Sequence, residues 1–275
     1  MQIQTHRLTV TALALSLLFF LPGLSAQLSP ASAQPRKPRV MVALVFGQSN
    51  AANFGETRHV AGRNVYVLHK SRLYPARDPL RGANGEGGSV WTRLGDKLIA
   101  EGLFDTVIFV PAAIGGTEIA RWTPDGDLFT LVARAIDDVQ RRRLKFTHLL
   151  WHQGESDAVL FTHPREYQKR FLEMLAGIRA RGVDAPVFVA VATRCGQYPV
   201  NPDIQWAQRD LVDPAAGILS GPDTDHLDDT FRYDGCHFSD AGLDAHAELW
   251  LRQIKAQQTQ SDLPPDGLPT PTPAP

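Results

Sequence analysis

The 275 residues are enough for one large domain or two small ones, and a composition of 43% hydrophobic and 21% charged side chains supplies a sizeable core and excludes global disorder. With 28 basic and 29 acidic residues the formal charge is −1, which lacks the cationic surplus that gripping a nucleic-acid backbone demands. Two cysteines build neither a disulfide-dense miniature scaffold nor a four-thiolate zinc site.

Met1–Arg7 carries one arginine, and Leu8–Leu21 follows without a charge. That apolar run falls short of the ~20 residues needed to span a bilayer. Small residues come next, with Leu24-Ser25-Ala26 and Ala31-Ser32-Ala33 as two cleavage sequences. The pattern predicts a secretory signal peptide over residues 1–26, with cleavage as late as 33, in preference to an uncleaved anchor. The expected location is secreted or periplasmic, with no stable membrane insertion after cleavage. Residues 27–38 read as a flexible leader. At the other end, Pro264–Pro275 holds six prolines, so 258–275 reads as a Pro-rich disordered tail. Residues 39–257 show no repeat and no linker, and one domain of roughly 220 residues is expected.

Within it, apolar runs predict strands at Val40–Phe46, Asn64–Leu68, Thr106–Ala112, Thr147–Trp151, Pro186–Ala192 and Ala216–Ser220. Most do not alternate with polar residues, as strands covered on both faces do not. Helical patterns lie between them at Ser89–Glu101, Leu128–Arg142, Pro164–Arg181, Ile204–Val212 and Ser239–Ala256. Pro164 suits a first helical position and Ser239 an N-cap. This alternation implies a three-layer α/β/α sandwich on a parallel sheet, whose ligands gather at the carboxyl ends of the strands.

The unusual residues fall at those ends. The first strand runs into Gly47-Gln48-Ser49-Asn50-Ala51, which presents Ser49 at a turn beside backbone N–H groups. The motif is not the G-x-S-x-G elbow, because Ala51 replaces the second glycine. By itself Ser49 reads as either a helix cap or a nucleophile. The next strand ends in Gly115-Gly116-Thr117, which is either an ordinary turn or a place where amides approach a ligand. Trp151-His152-Gln153-Gly154-Glu155-Ser156-Asp157 is too polar for a mere strand exit. No second cluster supplies the further ligands that would make His152 and Glu155 a zinc site. In Asp234-Gly235-Cys236-His237, the glycine lets the loop fold tightly enough for the carboxylate to reach the imidazole, fixing its tautomer.

Together the Gly-Gln-Ser-Asn, Gly-Gly, Gln-Gly-Glu-Ser-Asp and Asp-Gly-Cys-His segments resemble the SGNH hydrolase superfamily. They are closest in form to its sialate O-acetylesterase-like branch, which includes carbohydrate esterase family 6. The resemblance spans about Val40–Leu249. It implies a flavodoxin-like sheet and hydrolysis of O-acetyl esters on carbohydrates, acetylated xylan-type polysaccharide or sialic acid, with no metal and no cofactor. Carried over by position, Ser49 matches the nucleophile, Asp234 and His237 its partners, and Gly116 (with Gly115 as fallback) an oxyanion donor beside the Ser49 amide. The superfamily's asparagine donor is missing here, and Gln153 stands in its place. Gln48, Glu155 and Trp122 are expected to bind substrate; Trp91, Trp122, Trp151 and Trp206 each suit sugar stacking or the core. An acetyltransferase on the same fold and a non-catalytic carbohydrate-binding protein are the competing readings. Export and the absence of competing thiols predict a Cys195–Cys236 disulfide, both positions lying near strand ends.

Overall fold

A computed structural model of the chain describes residues 36–198 and 200–261. The expected signal peptide, most of the leader and residues 262–275 lie outside the described residues, whereas residues 258–261, expected to begin the disordered tail, are helical. The chain divides after Lys37 into two units, and the described sheet and helices belong to the second.

β1 (Val40–Gly47) is the central strand, and its sequence explains the layering. Every residue after Val40 is buried, yet successive side chains still point to opposite faces. Val42, Leu44 and Phe46 enter one core, and Met41, Ala43 and Val45 enter the other. The chain continues through β2 (Val65–His69), β3 (Arg72–Pro75), α1 (Val90–Ala100), β4 (Thr106–Ala113), α2 (Phe129–Arg141), β5 (His148–His152) and α3 (Glu155–Val159). It ends with α4 (Pro164–Ala180), β6 (Val187–Val191), α5 (Pro202–Asp210), β7 (Ile218–Asp223) and α6 (Asp240–Ser261). α2, α4 and α5 cover the first core, while α1 and α6 cover the second. The result is an α/β/α sandwich.

The sheet order is β3-β2-β4-β1-β5-β6-β7. Its β4-β1-β5-β6-β7 portion has the flavodoxin-like order, all parallel. β2 extends it in parallel, and β3 closes that edge antiparallel. The sheet is therefore mostly rather than wholly parallel. β3 has no counterpart in the expected strands, because it is a short, largely exposed edge without an apolar run. The helix expected from Ile204 starts instead at Pro202, where the Asn201 side chain accepts the N–H groups of Asp203 and Ile204. The last helix runs to Ser261 rather than Ala256, and the last strand begins at Ile218 rather than Ala216. Among the described residues no helix is long and apolar enough to cross a membrane.

Candidate active site

β1 and β5 end side by side, with Gly47 opposite His152. Gly47 has φ +130°, and a Cβ on it would collide with the His152 carbonyl, so only glycine brings the strands this close. The Gln48 N–H donates to that carbonyl at 3.1 Å, and the chain turns at once through Ser49–Ala51. Ser49 thus stands at the carboxyl edge of the sheet. Its hydroxyl has no hydrogen-bond partner among the described residues. β4 brings Gly115 against the same turn: a Cβ there would lie 2.7 Å from the Phe54 ring. The Gly115 N–H donates to Asn84 Oδ1 at 2.9 Å. The N–H groups of Ser49 and Gly116 have no acceptor among the described residues and remain available.

The fourth contributor is the loop before α6. His237 Nδ1 lies 2.7 Å from Asp234 Oδ2, while Asp234 Oδ1 accepts the N–H groups of Cys236 at 2.9 Å and His237 at 2.7 Å. Burial raises the Asp234 pKa, but the His237 backbone and ring and the Cys236 N–H outweigh it and hold the carboxyl below its usual range. Phe54 stacks on the His237 ring at 5.2 Å between centroids. Ser49, Gly116 and His237 line one cleft of about 480 Å³, with Val159 and Leu160 as an apolar wall. A hydroxyl, an imidazole whose Nδ1 is fixed by a carboxylate, and two unpaired amides beside one cleft are the parts that acyl transfer uses.

A family model described as a carbohydrate esterase, sialic acid-specific acetylesterase, matches residues 39–253. The chain belongs to this acetylesterase family. It is a carboxylic ester hydrolase whose family acts on O-acetylated carbohydrate. Solved structures share the fold: a protein from Arabidopsis thaliana matches with TM-score 0.66 and 18% identity over 82% of this chain and 99% of its own. NanS matches with TM-score 0.60 and 16% identity over 81% and 99%. A carbohydrate acetylesterase from Xanthomonas citri matches with TM-score 0.50 and 17% identity, covering 82% of this chain and 57% of its own. Comparison with curated protein sequences finds no match.

Not every residue expected in the acetylesterase site reaches the cleft. Trp122 is fully buried, donates its indole N–H to Thr117 Oγ1 and packs edge-on against Trp151, so it is core and cannot stack on a sugar. Trp91 and Trp151 are buried too, and Trp206, 41% exposed with Arg165 over its ring, does not line the cleft. Gln153 is also corrected. It is fully buried, and its amide nitrogen is committed to the Thr117 carbonyl at 3.0 Å, Asp157 Oδ2 at 2.5 Å and Gln48 Oε1 at 3.3 Å. It buttresses the strand ends and has no donor left for an oxyanion. Gln48 and Glu155 do line the cleft, both almost wholly buried beneath it. His152 is fully buried, and burial pulls it down to about 3, so it stays neutral.

Three residues that the sequence reading gave no role hold the acetylesterase loop. The Asn50 amide donates to Glu155 Oε1 at 2.8 Å and to the Cys236 carbonyl at 3.3 Å. Arg232 donates to the same carbonyl and to those of Leu227 at 3.0 Å and Thr224 at 2.9 Å. Phe54 is the third, through its stacking on His237. Asn50 stands inside the legible Gly-Gln-Ser-Asn motif, but nothing local marks Arg232 or Phe54.

The Cys195–Cys236 disulfide is present and ties this loop to the segment after β6. The bond closes a sequence separation of 41. Chain entropy then gives about 4 kcal/mol of stabilisation. The Cys195→Ser/Cys236→Ser protein should therefore melt about 8–16 °C lower. A shift under about 2 °C by calorimetry would show that the loop is held without the bond.

Glu155 gives a separate, pH-dependent signature. Burial, only partly offset by the Asn50 N–H, pushes its carboxyl from 4.5 up to about 7, and Oε2 has no partner. Between these values the unfolded chain releases the proton and the folded one keeps it, so stability falls as pH rises through this window. Glu155→Gln should therefore gain about 3 kcal/mol relative to wild type between about pH 5 and pH 8 in urea unfolding. Parallel pH profiles for the two proteins would refute a protonated Glu155.

Proposed function

We propose that the protein is an exported esterase that removes acetyl groups from carbohydrate hydroxyls through Ser49, His237 and Asp234. The observation that carries this is the Asp234–His237 pair at 2.7 Å, facing the cleft that Ser49 lines. The Asp234 contact occupies Nδ1 and leaves His237 Nε2 to take a proton. Ser49 Oγ attacks the acetyl carbonyl carbon as its proton passes to that nitrogen. Negative charge then develops on the carbonyl oxygen, and the unpaired N–H groups of Ser49 and Gly116 receive it. A donor of this kind contributes about 10²–10³ in turnover. The ester C–O bond breaks as His237 returns the proton to the sugar oxygen, leaving acetyl-Ser49. Water activated by the same imidazole attacks the acetyl group, releases acetate and restores the hydroxyl.

Acetylated xylan-type polysaccharide and acetylated sialic acid are the proposed substrate classes. Export is supported by the disulfide, since thiols stay reduced in a cytosol. Acetate release is the direct test, measured on 4-nitrophenyl acetate, acetylated xylan and O-acetylated sialosides. Turnover of the simple ester and of at least one sugar ester is expected. No acetate from any of the three would overturn the proposal.

A further inference from the structure

The catalytic cleft does not end at His237. Phe54, one of its walls, also lines a second hollow of about 280 Å³ with Glu56, Glu86 and Tyr233. Glu86 in turn is a wall of a third, much larger cleft of about 1020 Å³, lined by Arg58, Tyr74, Arg77 and Arg81. The three hollows thus share walls in succession, from the one lined by Ser49 to the one at the β2–β3 edge of the sheet. The far cleft is therefore built on the edge hairpin, outside the flavodoxin-like order of the central strands.

Its charge is unbalanced. Arg77 and Arg81 are exposed and have no carboxylate partner among the described residues. The Arg81 guanidinium sits over the Tyr74 ring, 4.6 Å from its centroid, a cation–π contact that leaves its charge unpaired. Arg58 Nε donates to the Glu86 carbonyl at 2.7 Å, while its ion pair with the Glu86 carboxylate, at 3.8 Å with side chains 57% and 88% exposed, has little strength. The cleft's other carboxylate, Asp78, is buried and already occupied by Ser89, Thr92 and the His59 N–H. Two unpaired guanidinium forks and a third weakly paired one suit carboxylate or sulfate groups, which they grip bidentately.

We infer, building on the esterase reading above, that the substrate is a polymeric acidic glycan whose charged sugars occupy the Arg58–Arg77–Arg81 cleft while a neutral acetylated sugar lies at Ser49. The middle hollow decides the spacing of charge. Glu56 and Glu86 repel an anion there, so a chain charged at every unit is disfavoured along the three hollows and one with intermittent charges is accepted. The ring of Tyr233, 49% exposed, offers an apolar platform between the two ends.

Binding is read on the Ser49→Ala protein, which separates recognition from turnover. By calorimetry it should bind a xylo-oligosaccharide bearing a single glucuronate branch, and bind the unbranched neutral oligosaccharide of equal length at least about tenfold more weakly. The difference should vanish at high salt. Arg77→Ala/Arg81→Ala should abolish the preference, and Arg77→Lys/Arg81→Lys should retain part of it. In the Ser49 enzyme, the alanine pair should lower kcat/KM on acetylated glucuronoxylan fragments about tenfold and leave 4-nitrophenyl acetate hydrolysis unchanged. Equal binding of the two oligosaccharides, equal binding of single-stranded DNA, or no effect of the alanine pair would each overturn the inference. Failure of the esterase reading would appear differently, as loss of 4-nitrophenyl acetate hydrolysis in the wild-type protein with the binding preference intact.

Discussion

Ser49→Ala is expected to lower kcat for acetyl-ester hydrolysis by about 10⁴–10⁶-fold while the protein stays folded. The size follows from the proposed chemistry, because without Oγ no acetyl-enzyme forms and only the amides and the cleft remain to assist water. The small structural cost follows from geometry. The hydroxyl has no hydrogen-bond partner among the described residues, and the turn at Ser49–Ala51 is held by backbone bonds, from the Ala51 N–H to the Gln48 carbonyl and from the Ala52 N–H to that of Ser49. Alanine therefore leaves no unpaired polar atom, and the melting temperature should hold within about 2 °C. Circular dichroism, melting and acetate release together make the test. A folded alanine variant retaining more than about a tenth of wild-type turnover would remove Ser49 from the nucleophile role.

The legible parts of this molecule share one physical origin. Runs such as Val40–Phe46 and Thr106–Ala112 are apolar on both faces because helices cover both sides of the sheet, and such strands announce themselves. β3 does not, because an exposed edge strand needs no apolar pattern; its leucine is exposed and its tyrosine only half-buried, like those of a loop. α3 was hidden for a different reason: Glu155–Val159 reads as polar loop, and the burial of Glu155 and Asp157 comes from partners far along the chain. The same distinction runs through the site. Ser49, Asp234 and His237 stood in short motifs whose residue types carry chemistry. Gln153 looked like a donor in its motif, yet whether an amide is free depends on Thr117, Asp157 and Gln48, and no local pattern reveals such competition. Trp122 failed likewise, since a tryptophan's composition is the same in a core as on a sugar platform. The two cysteines were simple to pair because no other thiol competed.

The geometry of Asp234 sets the second large effect. Oδ1 accepts two backbone N–H groups, from Cys236 and His237, and Oδ2 faces His237 Nδ1. The Asp234→Asn variant replaces the carboxylate with one oxygen and one NH₂ group. The two backbone donors require the oxygen on their side, which turns the NH₂ toward Nδ1. That nitrogen must then accept, so the ring proton moves to Nε2, the atom that takes the Ser49 proton in the proposed mechanism. The imidazole is left in the tautomer that cannot act as base, and the positive charge formed during attack loses its carboxylate. A fall of about 10⁴-fold in kcat is expected near neutral pH, with KM changed little. The backbone bonds survive the substitution, so folding should be unaffected. Asp234→Ala separates geometry from charge: without an NH₂ group it does not enforce the wrong tautomer, and it should retain more activity than the asparagine variant even though it loses the loop's acceptor for two backbone N–H groups. The ¹⁵N spectrum of labelled His237 reads the tautomer directly. A proton still on Nδ1 in the asparagine variant, with activity within about tenfold of wild type, would show that Asp234 does not orient the ring.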